Sequence, residues 1–485
     1  MWTKASWSSI LLSCLLANCM GADQKTVLST PAPSTSPPLL DYDVQLVPDG
    51  ERLSILAKFP AGISGQWLVE SPAQPFVQAV EVSFDQGRTF HSEGLAASRG
   101  ITRDTRQLCE QQGCWARYSF LLAAAATQLN SRTTAIEWDD SFVAPASSWL
   151  LRPRAVPSGA GSRFRVSTAD SHTFVTGTLR SSAEPTAYEA PIPRGFFAPY
   201  SAFGRLRVRS LDIGHAKLTI AFLSNTAAEN ERHYLDWIDR SAQAIAKYYG
   251  QFPVSDLLVL MRASPYFGTQ MGIGGTSVLL GMDHRLSRAA ILSDWVAAHE
   301  MVHVAFPSVA RRKRWASEGL ATYVESVARC QAGQISRQQL WSLLIEKLPL
   351  GQPGETSAGL NHTRTWASTY WGGALFWFVA DLKLLSATEG QIGLREVLQT
   401  LVARNFNATR AVPLTTILKE ADDWLERPLL LPLYEQHAHH PTPVDLESLW
   451  NELGIRRAAE KLAFDPGAPR AEHRCHIENG RGCPQ

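Results

Sequence analysis

Residues 297–306 read AAHEMVHVAF, in which two histidines stand four residues apart and a glutamate follows the first. In a helix this spacing places His299 and His303 on one face, so that both imidazoles can reach a single metal ion. Glu300 is turned about 100° away from His299, and its carboxylate can reach a water molecule held by that ion. This HExxH arrangement is typical of two zinc ligands and one general base.

The alternative is that HExxH occurs by chance on an apolar helix. A lone histidine on such a helix usually has only a structural role. The flanking side chains of Trp295, Val296, Val302 and Phe306 are apolar, which indicates that the helix is buried. Two imidazoles and a carboxylate inside a protein core are costly unless something coordinates them. The context therefore favours a metal centre.

A zinc centre of this kind needs a third protein ligand and an open fourth position. The segment WASEGLATYVESVARC supplies a candidate in Glu318, and fourteen residues lie between it and His303. That interval lets the chain leave one helix and return in a second helix alongside it. Glu325 lies two turns further on the same face, and we expect it to accept the second N–H of a zinc histidine.

The elements that must position these residues change in character along the chain. Short alternating runs between residues 41 and 210, such as RLSILAKF and RFRVST, predict strands and a β-rich sandwich. Residues 211–460 have mainly helical periodicity, with a strand at 256–262, a helix at 286–306 and another at about 316–332. The fold class is therefore α+β, and residues 461–485 are expected to form a loose polar tail.

The first residues indicate export. Residues 1–22 combine a lysine with a short apolar run and small residues, the pattern of a signal peptide. Leu16-Ala17-Asn18-Cys19 also resembles a bacterial lipobox, so the chain is expected in the periplasm or secreted, with lipid anchoring as an alternative. Residues 23–40 are rich in Pro, Ser and Thr and predict a flexible linker.

The cysteines agree with an oxidising compartment, because Cys109 and Cys114, like Cys475 and Cys483, are close enough to form disulfide loops. Cys330 is left over and is expected to be buried. The net charge of +1 gives no indication of nucleic-acid binding or of an anionic membrane partner. The basic run at residues 311–314 is interpreted as a solvated loop, and no feature of the sequence indicates a particular oligomeric state.

HEMVH followed by WASEGLATYVE resembles the HExxH and NEGFASYVE motifs of the gluzincin metallopeptidases, closest to the glycyl aminopeptidase and aminopeptidase N group. The resemblance implies a thermolysin-like domain that binds Zn²⁺ through His299, His303 and Glu318, with Glu300 as the base. The segment STYWGGALFWFVADL is similar to that group's segment in which a tyrosine precedes a glycine-containing helix. By that likeness Tyr370 would stabilise the oxyanion.

The implied function is hydrolysis of peptide bonds in a peptide or protein substrate by a zinc-activated water. An extended substrate could pair as an added strand with residues 272–279, where Gly272, Gly274 and Gly275 allow close approach; a plain turn is the alternative. The exopeptidases of this group carry a glutamate in this strand to hold the substrate's free amine. GTQMGIGGTSVLL has no acid, so both endo- and exo-cleavage stay open.

Two other functions stay open as well. The chain could be a catalytically inactive gluzincin-fold envelope protein that binds peptides or partners, or a structural lipoprotein with a vestigial peptidase-like domain. The intact Glu300 argues against inactivity. A second metal site at His437, His439 and His440 is a further alternative, although the segment EQHAHHP is interpreted as a solvated loop because no carboxylate or cysteine set completes it.

Overall fold

The computed structural model describes residues 39–63, 67–93, 103–154, 157, 159–191, 198–223, 227–263, 270–271, 276–363, 365–458 and 461–483. The expected signal peptide and nearly all of the linker lie outside these residues, so both stay predictions. No helix in the described part of the chain combines the length and the apolar character needed to cross a membrane.

The amino-terminal part consists of strands that bury alternate residues, as Leu40, Tyr42 and Val44 do in the first of them. The strands are β1 (Leu39–Leu46), β2 (Leu53–Phe59), β3 (Trp67–Leu68), β4 (Val77–Ser83), β5 (His91–Ser92), β6 (Cys114–Phe120), β7 (Ile136–Trp138), β8 (Ser141–Val143), β9 (Arg152–Pro153), β10 (Gly161–Ser167), β11 (Thr173–Thr176), β12 (Tyr188–Pro191) and β13 (Ser201–Gly204). The short helices among them are α1 (Arg103–Gln112), α2 (Leu122–Leu129) and α3 (Ala146–Trp149).

Two sheets of this part pack against each other. Seven strands are ordered β12-β10-β1-β2-β6-β4-β5, and four are ordered β11-β13-β8-β7. Trp149 joins them, because its ring lies 5.5 Å from that of Phe164 in the larger sheet and 5.9 Å from that of Phe203 in the smaller one. The predicted β-rich sandwich is confirmed.

A third sheet links the sandwich to the helices. It contains β14 (Arg207–Ile213), β15 (Ala216–Phe222), β16 (Asp256–Ala263), β17 (Gln270–Met271) and β18 (Ser277–Met282), in the order β14-β15-β16-β18-β17. Strands β15, β16 and β18 run parallel, and β17 is antiparallel at the edge. Leu258 and Leu260 pack toward the four-stranded sheet, whereas Val259 and Met261 pack toward the helices. The boundary expected after residue 210 falls inside β14.

The carboxyl-terminal part is mainly helical, as expected. Its elements are α4 (Ala228–Tyr249), α5 (Arg288–Ser293), α6 (Val296–Val304), α7 (Arg314–Gln331), α8 (Arg337–Lys347), α9 (Trp366–Ala387), α10 (Leu394–Ala403), α11 (Leu414–Leu425), α12 (Leu430–His439), α13 (Leu446–Glu452), β19 (Ile455–Ala458), β20 (Lys461–Phe464) and α14 (Ala471–Asn479). Short 3-10 turns lie at Ser71–Phe76, Arg311–Lys313, Leu348–Gly351 and Leu360–His362.

The helix expected over 286–306 is two helices, α5 and α6. Asp294 interrupts it in an extended conformation, and its carboxylate accepts a hydrogen bond from the backbone N–H of Val296 at 2.8 Å. A short acidic side chain that satisfies a free backbone donor in this way starts a new helix. The HExxH motif therefore has a helix of its own.

The prediction of a loose tail is wrong for residues 461–483, the part of the tail that the structure describes. Strand β20 pairs with β19, and α14 buries Arg474, Cys475 and Glu478. Trp341 donates its indole N–H to Glu478 at 2.7 Å, which fastens α14 to the helical core. Residues 461–483 are polar in composition, but contacts with buried residues of other elements, such as Trp341, give them a defined structure.

Both expected disulfides are present, Cys109–Cys114 with a Cα–Cα distance of 4.9 Å and Cys475–Cys483 with 4.8 Å. Cys330 is free, and it is half-buried rather than buried. The two short loops that the sequence predicts are therefore closed by covalent bonds.

Candidate metal centre

Helix α6 presents both histidines on one face, one turn apart, and both side chains are buried. The Nε2 atoms of His299 and His303 lie 3.4 and 3.2 Å from Oε2 of Glu318. The Nδ1 atom of His303 is 2.9 Å from the hydroxyl of Ser317, a contact that fixes this ring with Nε2 toward the centre. The two histidines thus face the carboxylate that the sequence predicts as the third ligand.

Two glycines bring α7 and α9 close together beside the centre. A Cβ atom built on Gly319 would lie 2.1 Å from the carbonyl carbon of Gly373, and one built on Gly373 would lie 2.0 Å from the backbone oxygen of Trp315. Only residues without a side chain permit this backbone contact. Since Glu318 precedes Gly319 and Tyr370 lies three residues before Gly373, the contact fixes the carboxylate beside the phenol.

The three side chains form a group suited to a metal ion. One ligand atom from each of His299, His303 and Glu318 lies within 4.8 Å of the others, and this is the only such group in the ranges that the structure describes. Two neutral imidazoles and one carboxylate are a donor set that zinc accepts. The structure brings together the three residues that the sequence predicts as metal ligands. Their geometry fits a divalent cation.

The electrostatics of the group favour an ionised carboxylate. Burial alone would raise the pKa of Glu318, but the charge of His303 and hydrogen bonds from both histidines outweigh it and hold the pKa well below its ordinary value. Burial would lower the pKa of His303, and the charge and hydrogen bond of Glu318 raise it instead. A divalent cation at the centre would replace the positive charge of the protonated His303 as the partner of the Glu318 carboxylate.

Glu300 lies on α6 next to the first histidine and is buried. Its Oε2 atom has no hydrogen-bond partner among the described residues, and neither has Nδ1 of His299. A buried carboxylate oxygen without a partner is costly and needs an explanation. The carboxylate of Glu300 lies close enough to His303 to interact electrostatically with that imidazole.

Tyr370 lies on the other side of the centre, on α9. Its ring is nearly parallel to that of His299, with centroids 6.1 Å apart and an interplanar angle of 12°. Burial, and then the charge of Glu318, raise the pKa of Tyr370 to about 12. The phenol therefore keeps its proton at neutral pH and can donate it in a hydrogen bond.

Arg314 is a site residue that sequence reasoning missed. Its Nε donates to Oε1 of Glu318 at 2.8 Å, and its Nη2 donates to the hydroxyl of Tyr370 at 3.1 Å. Because a guanidinium only donates, Arg314 does not use the O–H of Tyr370, and the phenol also has a hydrogen bond to Glu318. The signal that could have found Arg314 was the basic run at 311–314, which the sequence suggests is a solvated loop. Arg314 is instead the first residue of α7, four residues before Glu318.

The expectation for Glu325 is wrong. Its carboxylate accepts from Nη1 of Arg329 at 3.3 Å, whereas Nδ1 of His303 contacts Ser317 and that of His299 has no partner in the described structure. Glu325 follows Glu318 by two helical turns, about 10 Å along the axis, and this rise carries it past the histidines. It forms a buried ion pair with Arg329 instead.

The remaining candidates fall outside the centre. Gly272, Gly274 and Gly275 lie outside the described residues, so their role stays a prediction. His437 and His439 belong to the last turn of α12 rather than to a loop, and His439 lies 3.4 Å from Glu435. No second metal group that includes His437 or His440 exists within the described ranges.

The solved structures that resemble this chain have the same two-part architecture. The aminopeptidase N family protein from Idiomarina loihiensis matches with a TM-score of 0.62 and 13% sequence identity, covering 86% of this chain and 78% of that chain. An M1 zinc metallopeptidase mutant from Deinococcus radiodurans matches with 0.50 and 17%, covering 84% and 95%. A two-domain M1 zinc metallopeptidase mutant bound to L-tryptophan gives the same four values.

No sequence model of a known family matches this chain, and no curated protein matches it in sequence. The likeness therefore concerns the fold, which is that of aminopeptidase N-like zinc metallopeptidases. The α+β architecture implied by the gluzincin resemblance is confirmed.

Proposed function

We propose that this chain is a zinc-dependent metallopeptidase that hydrolyses peptide bonds. The observation that carries the proposal is the convergence of His299, His303 and Glu318 within 4.8 Å, next to Glu300, whose buried Oε2 atom has no partner among the described residues. The shared fold of zinc metallopeptidases supports it. An inactive peptide-binding protein would have no use for Glu300, because burial of its Oε2 atom, which lacks a partner in the described structure, costs stability.

Zinc bound by the two imidazoles and the carboxylate would supply a Lewis acid and lower the pKa of a bound water to about 7. Glu300 accepts the proton of the attacking water and passes it to the leaving amine. The O–H of Tyr370 donates to the oxygen that becomes negative as the carbonyl is attacked. Arg314 holds Tyr370 and Glu318 in place from the solvent side.

A peptide or protein is the proposed substrate. The structural neighbour bound to L-tryptophan supports a ligand of the amino-acid class. Residues 268–281 contain no Asp or Glu, so this segment offers no anion to a substrate's amino-terminal ammonium. We therefore include peptides with blocked amino termini among the substrates. We also propose that the chain acts after export, which its two disulfides support.

The variant Glu300→Gln tests the proposal. It keeps the shape of the side chain but cannot accept a proton, so peptide turnover should fall by about 10²–10⁴-fold while zinc stays bound. Turnover of free and blocked peptides and zinc content by elemental analysis are the measurements. Glu346→Gln is the control, since Glu346 lies exposed on α8 and should keep full activity.

The result separates the competing functions. A wild-type chain that holds zinc but cleaves no peptide would be a binding protein, and one that holds no zinc would have a vestigial centre. Full activity in Glu300→Gln would refute the assignment of the base.

A further inference from the structure

Four aromatic rings form a continuous row through the metal centre. Trp366 stacks on Tyr370 with centroids 5.4 Å apart, Tyr370 stacks on His299 at 6.1 Å, and Trp295 meets His299 edge to face at 5.2 Å. We call Trp366, Tyr370, His299 and Trp295 the aromatic row. A tryptophan stands at each end, and a ligand of the metal centre stands between them.

Exposure changes along both helices in the same direction. On α6 the metal-binding face runs from Trp295, which is 45% exposed, to the buried His299 and His303. On α9 the corresponding face runs from Trp366, which is 62% exposed, through Tyr370 to the fully buried Ala374. The first turns of both helices therefore form an exposed side of the centre in the described part of the chain, which we call the mouth of the centre. The burial predicted for Trp295 from its apolar side chain is wrong.

The two tryptophans are unusual on this surface. The described residues expose six large apolar side chains, and the only aromatic ones among them are Trp295 and Trp366. Exposed aromatic surface placed together in one region is a mark of a binding site. Both indoles adjoin a residue of the centre, so the surface they offer continues directly into it.

We propose that Trp295 and Trp366 are the walls of two subsites that bind apolar or aromatic side chains on either side of the cleaved bond. This inference rests on the proposed peptidase function and names its substrate class. Indole faces also attract cations. Arg314 already donates to Tyr370 in the middle of the row, so a lysine or arginine of the substrate would meet a positive charge there.

The experiment uses zinc-loaded full-length protein and blocked, internally quenched peptides that carry Phe, Leu, Ala, Lys or Asp on each side of one bond. Wild-type protein should favour Phe and Leu over Ala, Lys and Asp. Trp366→Ala and Trp295→Ala should each raise KM for the Phe peptide by about tenfold and leave KM for the Ala peptide and zinc content unchanged. Trp366→Phe and Trp295→Phe should restore most of the affinity, and Leu108→Ala, an exposed apolar change on α1, should alter nothing.

Equal kcat/KM for Phe and Ala peptides, or variants that match wild type, would overturn the inference while the peptidase function stands. If wild-type protein holds zinc and cleaves nothing, the peptidase function fails, and calorimetric binding of the same peptides decides the inference alone. Preferential binding of the Phe peptide that is lost in Trp366→Ala would support it, and binding without preference, or none, would overturn it.

Discussion

Helix α7 carries two buried carboxylates seven residues apart, and their surroundings change their pKa values in opposite directions. Two imidazoles face Glu318, and its pKa is held well below the ordinary value. Burial raises the pKa of Glu325 to about 7, although Arg329 lies beside it. The partners of each side chain, rather than its burial, decide which carboxylate can hold a metal ion.

Each carboxylate also has an arginine four residues away on the same helix. Arg314 pairs with Glu318 and keeps 60% of its side chain exposed, whereas Arg329 pairs with Glu325 and is buried with it. Arg329 also donates to the backbone oxygen of Ser293 at 2.6 Å, which ties α7 to the end of α5. One pair therefore belongs to an open site, and the other joins helices in the interior.

Exchange of each carboxylate for its amide should show the largest difference between the two side chains. Glu318→Gln removes the charged ligand, so zinc affinity should fall on the order of a thousandfold. This loss is larger than the roughly 10–100-fold loss expected when a residue that only hydrogen-bonds to a ligand is changed. Glu325→Gln should leave zinc affinity within about twofold of wild type, because it touches neither histidine. Competition with a chromophoric chelator measures both affinities.

Glu325→Gln is thus the matched control for Glu318→Gln, with the same chemical change on the same helix. Equal losses of zinc affinity in the two variants would contradict the assignment of Glu318 as the third ligand. Wild-type affinity in Glu318→Gln would contradict it more directly.

The raised pKa of Glu325 predicts a smaller effect, on stability. Its ordinary value is 4.5, and its value in the folded chain is about 7. Between these values the folded chain holds a proton that the unfolded chain releases, so a rise in pH favours unfolding. Below 4.5 and above 7 the contribution is constant. Glu325→Gln has no such proton, and its stability should fall by about 3 kcal/mol less than that of wild type between about pH 4.5 and pH 7.

Urea unfolding of zinc-loaded protein at the two ends of this range measures the difference. The other titrating groups are common to both chains, so they cancel in the comparison. Parallel loss of stability in wild type and Glu325→Gln would show that Arg329 keeps Glu325 ionised throughout.

The shared helical face of His299 and His303 was predictable because its signal is local. The spacing within HEMVH fixes a helical face, and the period-2 pattern of runs such as RLSILAKF fixes strands. The partner of Glu325 was not predictable from spacing alone. Both Arg329 on the same helix and a histidine on α6 were possible partners for its carboxylate. The order of residues 461–483 depends on contacts such as Trp341 with Glu478, which are 137 residues apart.

The same limit applies to the mouth of the centre. An apolar residue beside an apolar helix indicates burial, and this reasoning holds for Val302 and Phe306. It fails for Trp295, because α6 begins there and its first turn reaches the surface. The exposure of a side chain depends on where its helix starts relative to the neighbouring elements. For α6 that start is set by Asp294.

The arginine beside Glu318 offers the smallest and most specific test of the comparison. Arg314→Met keeps the alkyl stem and removes every donor, so Glu318 and Tyr370 lose a shared partner while their own atoms remain. Zinc affinity and kcat for peptide cleavage should each fall by about tenfold, as for a residue that supports a ligand. KM and the melting temperature should hardly change, because the side chain is largely exposed. Arg312→Met, an exposed change two residues earlier, is the control, and an Arg314→Met variant with the zinc affinity and kcat of that control would show that the contacts of Arg314 are incidental.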